Sequence, residues 1–174
     1  MQPAMSRSTF ATSIATSFAI FVIVLTGWAA ALPAYGQATG SYARDLSAVY
    51  RAYQQLLSVR EACHAGAPAQ QPAIDRAYDV WKKRHGKFVE ELDTRLNAMI
   101  RAASSDPQEY SRNVGKYEGE LLRQRTESRE RFLAQEKSEI ERLCRQFPSF
   151  LRGKESDLEH AYAEEMESVR RLRP

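Results

Sequence analysis

Apolar residues recur along this chain at alternating steps of three and four, the period of a packed helix. Tyr42, Leu46, Val49, Tyr53, Leu56, Arg60 and Cys63 follow one another in this way. They form a seam of the kind that packs against a second helix, and they predict a first helix over roughly 42–64. Ser41 stands as its cap and Asp45 in its first turn. Ala65-Gly66-Ala67-Pro68 ends it, and Pro72 suits the first turn of the next helix. That second helix reaches about Ala103, with Ile74, Tyr78, Trp81, Phe88, Leu92, Leu96 and Met99 on one face. Asp106-Pro107-Gln108-Glu109 reads as cap, first-turn proline and capping-box acid. A third helix is expected from there to about Gln146, stopped by Pro148. It carries Tyr110, Val114, Tyr117, Leu121, Phe132, Leu133, Ile140 and Leu143. Gly153 and the box Ser156-Asp157-Leu158-Glu159 open a fourth, with Leu158, Tyr162, Met166, Val169 and Leu172 on its apolar face. Nothing reads as a strand. The expected fold is all-α: an elongated antiparallel bundle of about four helices with a long central hairpin.

Lengths refine this expectation. Helices of about 32 and 40 residues extend roughly 48 and 60 Å, whereas the first and fourth are nearer 20 residues. They are expected to cover the near half of the hairpin and to leave the far half, around Asp106, projecting as a two-helix coiled coil. Such a projection suits gripping, spacing or inserting better than enclosing a substrate.

The first forty residues carry a different pattern. An apolar run from Phe18 to Leu32 spans about 15 residues, short of the ~20 that a membrane-spanning helix needs. Pro33 breaks it, and Gly36-Gln37-Ala38 supplies the small residues that a signal peptidase reads. Residues 1–38 are therefore read as a cleavable signal peptide and 39–174 as one helical domain, periplasmic or secreted. No cysteine follows the run to take a lipid anchor. In an oxidising compartment Cys63 and Cys144 are read as a disulfide. Both stand near the C-terminal ends of the first and third helices, which an up-down-up arrangement brings together. The bond would close a loop of about 80 residues, worth roughly 4 kcal/mol by chain entropy.

Charge narrows the partners. Lys and Arg number 25 against 22 Asp and Glu, a net charge of +3. That becomes +2 once Arg7 leaves with the signal. No overall basic field draws in nucleic acid. Lys82-Lys83-Arg84 with Lys87, and Arg170, Arg171 and Arg173, are local clusters that leave peripheral contact with an anionic envelope surface open.

The chemistry available is that of binding. Arg123 to Arg131 is wholly polar, and an antiparallel register about the Asp106 turn sets it opposite Arg84, His85, Gly86 and Lys87. Arg84, His85 and Arg125, in this polar layer, and Asp106, at the hairpin tip, are the candidate partner-binding residues. The plain alternative is a solvated helix laced with pairs such as Glu127–Arg131. Gly115 and Gly119 have small-xxx-small spacing, and the same register sets them near Leu96 and Leu92 for a close backbone approach. Glu61 to His64 and Asp157 to His160 imitate the acid-x-x-His spacing of di-iron bundles, but they fall at helix ends. No metal or cofactor is expected. HExxH, G-x-S-x-G, a phosphate-cradling loop and CxxC are all missing from the sequence, and the expectation is a protein that is not an enzyme.

The layout of signal, helix ending in Cys63 and following helix with Trp81-x-x-Arg84 resembles small exported bacterial helical proteins. It is also similar to the lysozyme-inhibitor type of exported helical domain, which carries more cysteines in its own arrangement. No functional residue carries over from either. The expected function is protein–protein contact with an envelope protein, as adaptor, assembly factor or inhibitor. A small-molecule or metal-binding bundle and a binder of anionic envelope surfaces are the alternatives, and the oligomeric state is open.

Overall fold

The computed structural model describes residues 38–174, so the signal-peptide reading lies, but for Ala38, outside the described residues. The described chain is all-α, with six α-helices and no strand. They are α1 (Tyr42–Gly66), α2 (Gln71–Ala102), α3 (Pro107–Leu133), α4 (Lys137–Arg152), α5 (Leu158–Ala161) and α6 (Ala163–Arg171).

The caps follow the sequence with two changes. Asp106 Oδ1 accepts from the Glu109 amide at 2.8 Å, and Pro107 occupies the first turn of α3. The Glu109 carboxylate closes the box one residue early, accepting from the amide and hydroxyl of Ser105 at 2.7 and 2.6 Å. Ser41 stands at the N-cap of α1, but its side chain makes no capping bond. Asp45 is turned instead toward Thr39.

The predicted third helix is two helices. Ala134-Gln135-Glu136 separates α3 from α4, and the reason is one of phase. The stripe of Tyr110, Val114, Tyr117 and Leu121 continues by helical steps to Phe132, and next to Glu136 and Glu139. The stripe of the second half is Ile140, Cys144, Phe147 and Leu151, in step with Leu133. The two are one residue out of register, about 100° around a helix of 3.6 residues per turn. A continuous helix would turn one of them to solvent. The break lets Leu133 and Ile140, from either side of it, close over Gly66 at the end of α1. A Cβ at Gly66 would stand 2.9 Å from Leu133 Cδ2 and 2.7 Å from Ile140 Cγ2.

Pro148 does not stop the helix. It is buried inside α4, which runs on to Arg152. An internal proline costs about 3 kcal/mol. Phe147 and Leu151 flank it at 1% and 0% exposure, and their burial offsets the missing hydrogen bond. The predicted fourth helix is also divided. Asp157, not Ser156, caps α5 by accepting from the His160 amide at 3.1 Å. The Ser156 hydroxyl instead donates to the carbonyls of Leu151 and Gly153.

Helix α1 is the hub, in contact with α2, α3, α4 and α6. It runs antiparallel to α2, since Arg60 pairs with Asp75 at one end and the Tyr42 hydroxyl donates to the Arg95 carbonyl at the other. It runs parallel to α3, with Tyr50 and Tyr117 ring centroids 6.1 Å apart and Glu61 paired with Arg125. Since α1 reaches Arg95, only about the last two turns of α2 pass beyond it, not half of a hairpin as its length predicted. Cys63 and Cys144 are bonded, with Cα atoms 5.4 Å apart. That pair is consistent with an oxidising extracellular compartment.

Candidate functional site

The polar stretch of α3 does face another helix across a groove, but that helix is α1. Arg51, Gln54, Gln55 and Ser58 line one wall, and Gln124, Arg125, Glu127, Ser128 and Arg131 the other. The enclosed space is about 260 Å³ and open on one side. Each wall is built by helical spacing: 51, 54/55 and 58 share a flank of α1 beside its apolar seam, as 124, 128 and 131 share a flank of α3.

Three arginines line this groove, Arg51, Arg125 and Arg131, with one carboxylate, Glu127. Arg51 Nε donates to the Ser47 carbonyl at 3.3 Å and Arg131 to the Ser128 hydroxyl at 3.3 Å. Glu127 is already engaged by Arg123, which also binds Glu120. Arg125 pairs with Glu61 at the edge, yet its Nε is buried with no hydrogen-bond partner. On the facing wall Gln54 Oε1 is in the same condition. A buried donor or acceptor left unpaired costs on the order of 1–3 kcal/mol. The groove walls therefore hold one unpaired arginine N–H and one unpaired amide oxygen, with Arg51 and Arg131 exposed beside them. Such a set recognises a carboxylate, sulfate or phosphate, or the polar side chains of another protein. No imidazole or thiol stands among the lining residues.

The four candidate partner-binding residues are not brought together. Arg84 and His85 lie on the α4 side of α2, where they serve the fold. The Arg84 guanidinium donates to the Leu151 carbonyl at 2.8 Å, and Trp81 Nε1 donates to the Ser156 carbonyl at 2.9 Å. Trp81-x-x-Arg84 is thus a clasp: one helical step sets one donor on the last turn of α4 and the other on the linker between α4 and α5. His85 is 6% exposed, its ring centroid 5.0 Å from that of Trp81. Burial, helped by the charge of Arg84, pushes the His85 pKa down, while Asp157 and Glu159 oppose this. Asp106 is exposed, and the Glu109 amide bond lowers its pKa. It caps a helix. Arg125 alone of the four stands in the groove.

Gly115 and Gly119 were expected against Leu96 and Leu92, and neither is. A Cβ at either would meet nothing within 4 Å. Leu122 follows at the next helical step on the same flank and is 66% exposed. The sequence reading missed Arg51, Gln54, Gln55 and Ser58 altogether. Their signal was present as a polar stripe beside the α1 seam, but pairing α3 with its chain neighbour α2 left it without a partner.

Glu61, of the imitated metal motifs, is committed to Arg125, and His64 lies 3.1 Å from Asp75. Among the described residues no group of three or more His, Cys, Asp or Glu side chains is placed to hold a metal ion. No described helix is long and apolar enough to cross a membrane. The chain matches no protein-family model, no curated protein and no solved structure.

Proposed function

We propose that this is an exported, non-enzymatic helical protein that works by protein–protein contact in the cell envelope, with the exposed surface of α3 as its contact surface. The observation that carries this reading is the state of α3. It is a helix of 27 residues with no buried residue. Its apolar stripe is half-buried against α1 and α2, and its exposed surface runs from the open flank of Gly115, Gly119 and Leu122 on one side of the helix to the arginine groove on the other. Small residues there let a partner backbone approach closely, and arginine rims are common where a partner's acidic or polar groups dock. The one carboxylate of the groove, Glu127, is engaged by Arg123, which supports binding over catalysis.

The test is capture from native envelope with the oxidised mature chain as bait. A defined protein should be retained by the wild type and by Val80→Asp on the exposed side of α2. It should be lost with Leu122→Asp and with Arg131→Glu. Equal capture by all four, or none by the wild type, refutes the reading.

A second reading is favoured by Arg125 Nε and Gln54 Oε1: the groove takes a small anionic ligand. Native mass spectrometry of the protein purified without denaturant would then show a mass increment that Arg125→Ala abolishes.

A further inference from the structure

A second polar cluster lies at the other end of α1, away from the groove. Asp45 in the first turn of α1 is 1% exposed, and Glu165 of α6 is 2% exposed. Asp45 accepts from the Ser168 hydroxyl at 2.6 Å and from the Thr39 hydroxyl at 2.7 Å. The main-chain nitrogen of Thr39 lies 2.8 Å from the same Asp45 oxygen. Gly40, at φ 71°, makes the turn that folds Thr39 back onto α1. These bonds outweigh burial and hold the Asp45 pKa below its usual value. Glu165 is the opposite case. Its Oε1 has no partner, and burial, with the charge of Asp45 added, raises its pKa. The interactions that set these two carboxyls include no lysine, arginine or histidine. A buried carboxylate without a counterion is costly. The site is short of one positive charge.

The nitrogen resting on Asp45 is the one that processing would charge. Gly36-Gln37-Ala38 places small residues where a signal peptidase reads them, so the scissile bond falls between Ala38 and Thr39. We propose that Ala38–Thr39 is the maturation site of this protein. The α-ammonium of Thr39 created there is the counterion of Asp45 and locks the new N-terminus onto α1 and α6. The proposal rests on the exported reading above. In the step itself a peptidase directs water onto the Ala38–Thr39 amide. The C–N bond breaks, the leader departs with the new Ala38 carboxylate, which keeps the water oxygen, and the Thr39 nitrogen takes up the two protons of that water to become an ammonium. A neutral amide with one hydrogen becomes a cation with three, and the hydrogen bond to Asp45 becomes an ion pair. The precursor has the hydrogen bond without the charge, so the mature chain is held more firmly than the chain still carrying its leader.

Two measurements test this. The protein is secreted from its full-length chain, and its intact mass and first residues are determined; they should begin at Thr39. A start elsewhere overturns the proposal and leaves the exported reading standing. An uncleaved chain retained in the cytoplasm overturns both. The chain beginning at Thr39 is then compared with its Nα-acetylated form, each with Asp45 and with Asp45→Asn. Acetylation should raise the unfolding constant about tenfold when Asp45 is present and less than about twofold in Asp45→Asn. Equal effects in the two backgrounds overturn the ion pair. Should Asp45→Asn fail to fold, the reactivity of the Thr39 amine toward an acylating reagent replaces the cycle. In the folded wild type it should react at least about tenfold more slowly than in urea, as a raised amine pKa requires. Equal rates overturn the proposal.

Discussion

Helices α3 and α4 read as one element in the sequence and behave as two materials in the fold. α4 is 16 residues long and buries Ile140, Leu143, Cys144, Phe147, Pro148 and Leu151. It is held by the core and by a covalent bond. α3 is 27 residues long and buries none. It is held by what lies along it: a capping box at Asp106, ion pairs of Arg123 with Glu120 and Glu127, and a half-buried stripe against α1 and α2. A helix stabilised locally keeps a face free for another molecule, and a helix stabilised by the core does not. The difference separates the part of the chain that makes the fold from the part that has surface to spare.

The contrast breaks most visibly under truncation. Phe147→Ala should cost about 3–5 kcal/mol, since it empties a fully buried ring. Leu121→Ala on the half-buried stripe of α3 should cost about 1 kcal/mol. Urea titration of the two variants decides it, and comparable losses would mean that α3 belongs to the core after all. Reducing the Cys63–Cys144 bond should cost about 4 kcal/mol. That effect should appear as a lowered urea midpoint in dithiothreitol, and as none in a chain already carrying Cys144→Ser.

Glycine gives a sharper version, because the two regions predict opposite signs. Gly66→Ala drives a methyl into Leu133 and Ile140 at the seam between the helices, and should destabilise by about 1–3 kcal/mol. Gly119→Ala adds its methyl to open space in an exposed helix and should stabilise by about 0.5–1 kcal/mol. Thermal melts give both signs. On the proposed function, Gly119→Ala should also weaken partner capture while raising Tm.

The smallest effect is one of pH. Arg170 of α6, joined by Arg95, pulls the Glu91 pKa from 4.5 to about 2, against the effect of partial burial. A carboxyl whose folded pKa is depressed adds stability above its unfolded value, and loses it as pH falls toward the folded one. Arg170→Ala should therefore lower Tm by about 2 °C at neutral pH, given the exposure of the pair. The deficit should hold steady down to about pH 5 and close as pH approaches 2. A deficit unchanged at pH 2.5 would place the effect in packing.

Most helix starts were legible because each rests on a few neighbouring residues. Asp106-Pro107 and Pro72 act within one turn, and the seam of α1 needs no knowledge of what packs on it. The cysteine pair was legible because an even count of cysteines and two expected helix ends pointed to the same bond. The break after Leu133 was also written in the sequence, as the one-residue phase slip between Phe132 and Ile140, but it shows only when the two stripes are followed as separate lines. His85 was misjudged on its chemistry alone. It lies at helical spacing between Trp81 and Phe88, and position outranked polarity. The groove was half legible. Its α3 wall was identified from the polar stretch, while the α1 wall depends on which helix α3 packs against, a choice made by the phase slip and by Gly66 far along the chain.

The measurement that tests the central claim most directly is site-specific photo-crosslinking of the oxidised protein in its native envelope, with the crosslinker at Leu122 or at Val80. Both residues are exposed, at 66% and 54%, on α3 and α2 respectively. If the exposed surface of α3 is the working surface, Leu122 gives one defined protein adduct and Val80 gives none. Adducts of equal yield from both positions, or a defined adduct from Val80 alone, would contradict the claim.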